Sequence, residues 1–317
     1  CGTFLSGMID PAALDAQLCS AATPPAAVWV TSPDYLGGMA DIQALAQMCH
    51  QHGVLLVADN AHGAYLRFLP ESLHPLDLGA DLCCDSAHKT LPVLTGGAYV
   101  HVSRQAPAEL ENGLEEALAL FGSTSPSYLI LQSLDAFNEK CQPSWQEALR
   151  AFLPAADRLK EKLRADGWTL HGREPLKLTL APKGRGYTGT ALQDRLMRQG
   201  IYPEFADPDW LVLMLSPDSD LSRLAAVLDA VPPGEPLCSP SPALPEAEQV
   251  MSPRQALLAP QESLPVADSL GRILGAPTVS CPPAVPILCC GERIDPQALR
   301  CFAYYGVKDV SVVARLS

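Results

Sequence analysis

The stretch ADLCCDSAHKTLPVLTGGAYV, residues 80–100, decides how this chain is read. An apolar run, Leu82-Cys83-Cys84, stops at Asp85, and Ser86, His88, Lys89 and Thr90 then crowd together. An apolar run without polar alternation suits a strand buried on both faces of a parallel sheet. Taken alone, the polar cluster after it is an ordinary loop. Taken with the segments that precede it, Lys89 becomes a chemical handle.

Working outward, AAVWVT at 26–31 reads as a short buried strand, and SPDYLGG after it as a turn broken by Pro33 and two glycines. Residues 39–52, MADIQALAQMCHQH, set Ile42, Leu45, Ala46 and Cys49 at helical spacing, and Gly53 stands where a helix C′ residue belongs. VLLVA at 54–58 is a further unalternating run and ends at Asp59, while GGAYVHVS at 96–103 reads as another strand. Strand, helix, strand, short crossover, strand is an α/β order and predicts a mainly parallel sheet. Ligands of such sheets bind outside the carboxyl ends of the strands, where Thr31, Ser32, Asp59 and Lys89 fall.

Further along, STSPSYLILQSL at 123–134 predicts a helix with Ser125 as N-cap and Pro126 first inside it. A long helix is expected over 145–165, strands over 176–183 and 211–216, and helices over 189–199 and 220–231, which together make a small α/β unit. VPPGEPLCSPSPALPE, 231–246, carries six prolines and reads as a linker. The expected division is 1–150, 151–232, the linker 233–246, and a third segment 247–317 with prolines 277, 282, 283 and 286 in its middle.

Composition excludes several classes. A chain of 317 residues with 48% hydrophobic content can bury two or three cores. A net charge of −13 repels phosphate backbones, so nucleic acid is not an expected partner. No apolar run reaches the length of a membrane span and no signal-peptide pattern is present, so a cytoplasmic location is expected. The eleven cysteines form no C-x-x-C pattern, and Cys83-Cys84 and Cys289-Cys290 read as small hydrophobes packed in cores. The chain starts at Cys1 rather than Met, so we expect the sequence to begin inside a longer reading frame.

The chemistry rests on Asp59 with Lys89. A lysine amine can form a Schiff base with an aldehyde when its pKa is lowered, and His88, burial at a strand end and nearby helix N-termini would all favour that. Pyridoxal 5′-phosphate asks for such a lysine, for a carboxylate on the ring nitrogen, for phosphate donors and for flat packing on the ring. Asp59 can be the carboxylate. Ser86, His88 and the helix start at Ser125 can serve the phosphate, and Ala61 is small enough to lie against a ring. The run Asp59-Asn60-Ala61-His62 could instead be half of a metal site, which would need a further ligand and would leave Lys89 unexplained; no metal is expected. Arg272 and Glu292 read as structural, and Glu204 in GIYPEFAD could meet a basic group of a substrate.

TSPDYLGG, VADNAHGAYL, DSAHKTLPVLTGGAYVHV and STSPSYLIL resemble, in order, the major domain of the bacterial ornithine/lysine/arginine decarboxylases, pyridoxal-phosphate enzymes of fold type I. The tail, SLGRI and PPAVPILCCGERI, is a looser match to that family's C-terminal domain, with Ala284 and Cys290 where the family has glycine and proline. The resemblance implies an aminotransferase-like fold in which 1–150 is the remainder of the cofactor-binding domain. It also implies that the first half of that domain, with its phosphate-binding turn, precedes residue 1. Lys89 would be the Schiff-base lysine, Asp59 the partner of the pyridinium, and Ala61 the packing under the ring. His62 would sit near the phenolic side, Ser86 and His88 by the phosphate and the lysine, with His88 or Lys89 returning a proton. Thr124 and Ser125 would reach a neighbouring subunit's site in a homodimer. The implied activity is decarboxylation of arginine, lysine or ornithine in polyamine-type metabolism. An aminotransferase or other lyase, and a chain without catalysis of its own, stay open as alternatives.

Overall fold

The computed structural model describes residues 7–277 and 286–315. Helix α1 (Pro11–Ser20) leads into strand β1 (Ala27–Thr31), helix α2 (Ile42–Gln51), strand β2 (Leu55–Asp59) and strand β3 (Leu82–Asp85). One helical turn, α3 (Ala87–Thr90), separates β3 from strand β4 (Tyr99–Val102). The four strands form one sheet in the order β1-β2-β3-β4. β1 and β3 flank β2 in parallel, and their register lines up Thr31 with Asp59 and Asp59 with Cys84. Three carboxyl ends therefore finish in one row.

α2 forms because its apolar spacing matches a helix and both ends are capped. The Asp41 carboxylate accepts from the Ala44 N–H, and Gly53 takes the left-handed φ of 68° that closes the last turn. Its buried Ile42, Leu45, Ala46 and Cys49 pack on Val30, Leu56 and Ala58 of the sheet. The expectation of strands buried on both faces needs correction: β2 and β3 alternate buried with half-buried residues, and β1 buries only Val30 while Trp29 is 61% exposed, because α2 covers one face of the sheet.

β4 departs from the expected parallel order: it runs antiparallel to β3, with Cys83 opposite His101 and Asp85 opposite Tyr99. The physical reason lies in the connection. A parallel return needs a crossover over the sheet face, and α3 is a single turn that cannot supply one.

Helix α4 (Ala108–Phe121), which periodicity did not single out, follows β4, and helix α5 (Tyr128–Ala136) comes next. α4 buries no residue, and Leu120, Phe121, Tyr128 and Leu129 are exposed. The N-cap of α5 is Ser127, not Ser125; the Ser125 N–H instead donates to Ser123 Oγ at 3.1 Å, so Pro126 stands outside the helix.

A π-helical turn (Phe137–Cys141) opens the long helix α6 (Gln142–Ala165). Strands β5 (Leu170–His171), β6 (Lys177–Leu180), β7 (Phe205–Ala206) and β8 (Leu211–Met214) form a second sheet in the order β5-β6-β8-β7, antiparallel throughout. Helices α7 (Gly189–Arg198) and α8 (Leu221–Asp229) cover it with α6. This core is continuous with the first sheet's neighbourhood, since Tyr65, Leu66 and Phe137 belong to the same buried cluster as Leu178 and Leu213.

The proline-rich segment has no regular structure, yet it is fastened along its length. Gly234 N–H donates to Arg185 O at 2.9 Å, Leu237 N–H to Lys183 O at 3.0 Å, and Cys301 Sγ–H to Ala243 O at 3.2 Å. Beyond it come helix α9 (Pro253–Leu258), strand β9 (Gln261–Pro265), helix α10 (Pro296–Tyr304) and strand β10 (Asp309–Val313), with β9 and β10 paired antiparallel over a core of Leu274, Ile294, Phe302 and Val312. Asp209 joins this unit to the second sheet, pairing with Lys183 at 2.5 Å and accepting from the Tyr304 hydroxyl at 2.7 Å. Arg272 holds Glu262 and the Val313 carbonyl, and Glu292 accepts from the Cys289 N–H, both structural roles. The reading of the cysteine pairs as core needs correction: Cys83 and Cys290 are buried, but Cys84 is half-buried and Cys289 exposed, because neighbours on a strand or turn face opposite ways. Prolines 282 and 283, and part of PPAVPILCCGERI, lie outside the described residues.

Leu56, at 0% exposure in the middle of β2, is the natural probe of this sheet. Leu56→Ala should cost about 2–5 kcal/mol, read as a fall in the urea midpoint at unchanged slope; a smaller shift would mean that the sheet core collapses onto the cavity.

Candidate active site

The row of strand ends builds the site. The chain leaves β2 at Asp59, and the Asn60 N–H donates to the Cys84 carbonyl at 2.9 Å while the Ser32 N–H donates to the Asp59 carbonyl at 3.0 Å. These bonds hold the three exits together. Asp59 Oδ1 accepts from the Ala61 N–H at 3.0 Å, which fixes the carboxylate over the first residues of its own turn. Asp59 and Ala61 are half-buried, and His62 is 6% exposed.

Gly63 closes this turn, and it needs to be glycine for lack of room rather than for its dihedrals. A Cβ there would lie 1.9 Å from Asn60 Oδ1 and 2.7 Å from Leu66 Cδ1. Asn60 must stay where it is, because its Nδ2 donates to the buried Asp85 Oδ1 at 2.7 Å.

Lys89 reaches the same turn from β3. Its Nζ lies 3.3 Å from His62 Nε2. Burial, then the positive charges of Lys177 and Lys89, push the imidazole down to about 2. A neutral ring must accept from the ammonium, so Nε2 is the acceptor and the ring proton sits on Nδ1. That Nδ1 is buried and finds no hydrogen-bond partner among the described residues. Lys89 itself is exposed, not buried as the strand-end reading expects, because the turn of α3 carries it past the sheet. His88 turns toward β4, its Nδ1 donating to Gly97 O at 3.0 Å, and Ser86 is the N-cap of α3 with its hydroxyl making no capping bond.

Asp59, Ala61, His62, Ser86, His88 and Lys89 therefore gather at one end of one sheet. Thr124 and Ser125 do not join them; both lie on open surface between α4 and α5.

Sequence reading missed the other wall. The Tyr35 ring stands edge-on to His62, with centroids 5.4 Å apart, and its hydroxyl donates to Glu204 Oε1 at 3.2 Å. Lys177, at the start of β6, donates to the Asp34 carbonyl at 2.9 Å and sits 5.4 Å from the Tyr35 ring centroid. Burial lowers its ammonium to about 8, against the attraction of Glu174 and Asp34. Glu174 is itself buried, its carboxyl raised by desolvation against the pull of Lys177, and accepts from the Tyr65 hydroxyl. The Asp34 carboxylate accepts from the N–H groups of Leu36 and Gly38 at 3.0 and 2.6 Å, which folds SPDYLGG into the loop that presents Tyr35. Pro33 and the two glycines signalled the loop in the sequence, but nothing local signalled that Tyr35 meets His62.

A sheet of this order, with an aspartate closing one strand and a lysine just past the next, is an α/β fold of the pyridoxal-phosphate-dependent transferase type, fold type I. Residues 9–179 match the sequence model described as Orn/Lys/Arg decarboxylase, major domain, and the chain belongs to that family. It is similar to the uncharacterized protein YaaO of Bacillus subtilis, at 29% identity over 86% of this chain and 60% of that protein. It is also similar to an arginine decarboxylase of Halalkalibacterium halodurans, at 28% identity over 84% of this chain and 58% of that protein. The chain thus spans about three-fifths of the length of these relatives. Among solved structures, the Francisella novicida lysine decarboxylase LdcF shares the fold with a TM-score of 0.70 and 16% identity, covering 92% of this chain and 58% of that one. Among the described residues, no helix is long and apolar enough to cross a membrane.

His62 makes a pH prediction. Its folded value lies far below the ordinary 6.5, so the unfolded chain binds one more proton between the two values and stability falls as pH drops below 6.5. One such group contributes a slope of up to about 1.4 kcal/mol per pH unit. His62→Gln should flatten the dependence of the unfolding free energy on pH by about that much; parallel curves for the two proteins would refute the buried neutral imidazole.

Proposed function

We propose that this chain carries part of the site of a pyridoxal 5′-phosphate-dependent decarboxylase acting on a basic amino acid, arginine, lysine or ornithine, and yielding the amine for polyamine-type metabolism. The observation that carries the reading is the Lys89 amine, exposed and reachable, 3.3 Å from the neutral His62 imidazole on the turn that starts at Asp59. The residues present fit the cofactor. They combine a reachable amine, a carboxylate anchored at a strand end, a small residue at Ala61 and a buried imidazole N–H with no partner among the described residues.

When bound, the cofactor supplies an electron-withdrawing ring that accepts the electron pair left by departing carbon dioxide. Asp59 would hold a proton on the ring nitrogen, which a carboxylate beside a heterocycle favours. Lys89 would hold the aldehyde carbon and, once released, return a proton to the substrate's α-carbon. His62 would donate from Nδ1 on the phenolic side, while its Nε2 takes the Lys89 hydrogen bond and keeps the amine aimed. Ser86 and His88 would lie by the phosphate, with the α3 amides. Glu204, braced by Tyr35, would face the distal cation of the substrate.

The same reading divides the chain into the cofactor-binding portion to residue 150, a small domain over 151–232, the proline-rich strap 233–246 and a C-terminal domain over 247–317. It places the protein in the cytoplasm as a homodimer with shared active sites, where the exposed Thr124 and Ser125 would enter the partner's site.

Adding pyridoxal 5′-phosphate should give a visible absorbance band that borohydride fixes on the peptide containing Lys89. Lys89→Ala should remove the label and lower carbon dioxide release from arginine, lysine or ornithine by about 10²-fold or more. A label on another lysine, or keto-acid formation in place of carbon dioxide, would defeat the proposal.

A further inference from the structure

Strand alternation gives the first sheet two chemically different faces. Asp59 and Cys84 share one side, with Cys84 Sγ 4.0 Å from Asp59 Oδ1. Cys83 and Asp85 point to the other. On that opposite face β4 sets His101 directly across from Cys83, and the turn before β3 brings in His74. Two imidazoles, one thiol and one carboxylate thus converge on a place that the cofactor chemistry does not use.

Three of these donors lie within a few tenths of an ångström of the spacing that a coordination sphere needs. His74 Nε2 and His101 Nε2 each lie 3.1 Å from Asp85 Oδ2, and Cys83 Sγ lies 3.5 Å from Asp85 Oδ1 and 3.9 Å from His74 Nε2. His74, Cys83 and Asp85 each offer a ligand atom within 4.8 Å of the other two, and all three residues are buried. Tetrahedral zinc, with bonds of about 2.0–2.3 Å to nitrogen, oxygen and sulfur, has ligand-to-ligand edges of roughly 3.3–3.8 Å. His101 touches Asp85 but stands outside that group of three, and its side chain, 36% exposed, has room to swing inward as a fourth donor. It lines, with His74 and Asp85, a cavity of about 330 Å³ through which an ion can enter.

We propose that His74, Cys83, Asp85 and His101 form a structural zinc site on the face of the sheet opposite Asp59. The thiolate and imidazole donors select zinc over magnesium or calcium, which prefer all-oxygen shells. Asn60, donating from Nδ2 to Asp85 Oδ1 at 2.7 Å, is the outer-shell partner that orients the carboxylate and leaves Oδ2 for the ion. Binding displaces the thiol proton of Cys83 to solvent and moves the ring protons of His74 and His101 from Nε2 to Nδ1. The Leu76 N–H contact to His74 Nδ1, long at 3.4 Å, opens in consequence. The ion replaces hydrogen bonds that now link two imidazoles to one oxygen, and ties the turn at His74, β3 and β4 into one unit.

The test is metal content of the purified protein after equilibration with buffered micromolar zinc and exhaustive dialysis. The expected result is one zinc per chain, with a zinc-dependent rise in melting temperature. The Cys83→Ala/His101→Ala double variant should bind at least ~10-fold more weakly and lose that rise. If the double variant does not fold, as circular dichroism would show, cobalt added to the unmodified protein decides, since a tetrahedral site with a thiolate gives intense visible d–d bands. Retention of zinc by the folded double variant would place the metal elsewhere, for example on exposed Cys19, Cys141 or Cys238. No bound zinc, or only the weak bands of octahedral cobalt, would leave the four residues as a hydrogen-bond network and overturn the proposal.

Discussion

A buried carboxylate at the end of β3 sets the terms for the strand ends around it. Asp85 is 4% exposed, and burial by itself would raise its carboxyl; hydrogen bonds from His101 and His74, with a further one from Asn60, hold it well below the usual carboxylate range. An unpaired anion there would cost several kcal/mol. Its partners come from four places in the chain: the turn after β2, the turn before β3, β3 itself and β4. Satisfying one charge therefore fixes the register of three strand ends and of the turn that carries Asn60, His62 and Gly63. The turn that meets Lys89 inherits that order. His62 can meet Lys89 because Asn60 is pinned two residues earlier.

Local patterning disclosed the parts whose physics is local. β2 and β3 were legible as unbroken apolar runs, α2 from its spacing and its glycine, and the grouping of Asp59 with Lys89 from the rule that ligands meet strand ends, while His62 came from the family resemblance. Features decided by distant partners were not legible. Tyr35 becomes part of the site through Glu204, and Lys177 through the Asp34 carbonyl, contacts that span more than a hundred residues of sequence. The exposure of Lys89 depends on how far one helical turn rotates, which composition does not encode. The reversed β4 follows from the lack of a crossover, and α4 escaped notice because its apolar residues face no core.

The two readings of the DNAH run also separate here. The sequence posed Asp59 and His62 as half of a metal site, but His62 meets Lys89 and Asp59 Oδ1 accepts from the Ala61 N–H. The donors with ligand spacing sit across the sheet, drawn from residues that a linear motif search would treat as strand interior or loop. Alternation along a strand is what divides them: adjacent positions such as Cys83 and Cys84 belong to different chemistries.

The proline-rich strap carries a mechanical meaning. Its backbone is tied near both ends, to Arg185 and Lys183 on one side and to Cys301 on the other, and Asp209 stitches Tyr304 to Lys183 beside it. A tether fastened in this way leaves little slack for independent rotational diffusion. Helix α10 must reorient with the second sheet as one inertial unit, so a force applied to it is delivered to β8 and the loop that holds Glu204.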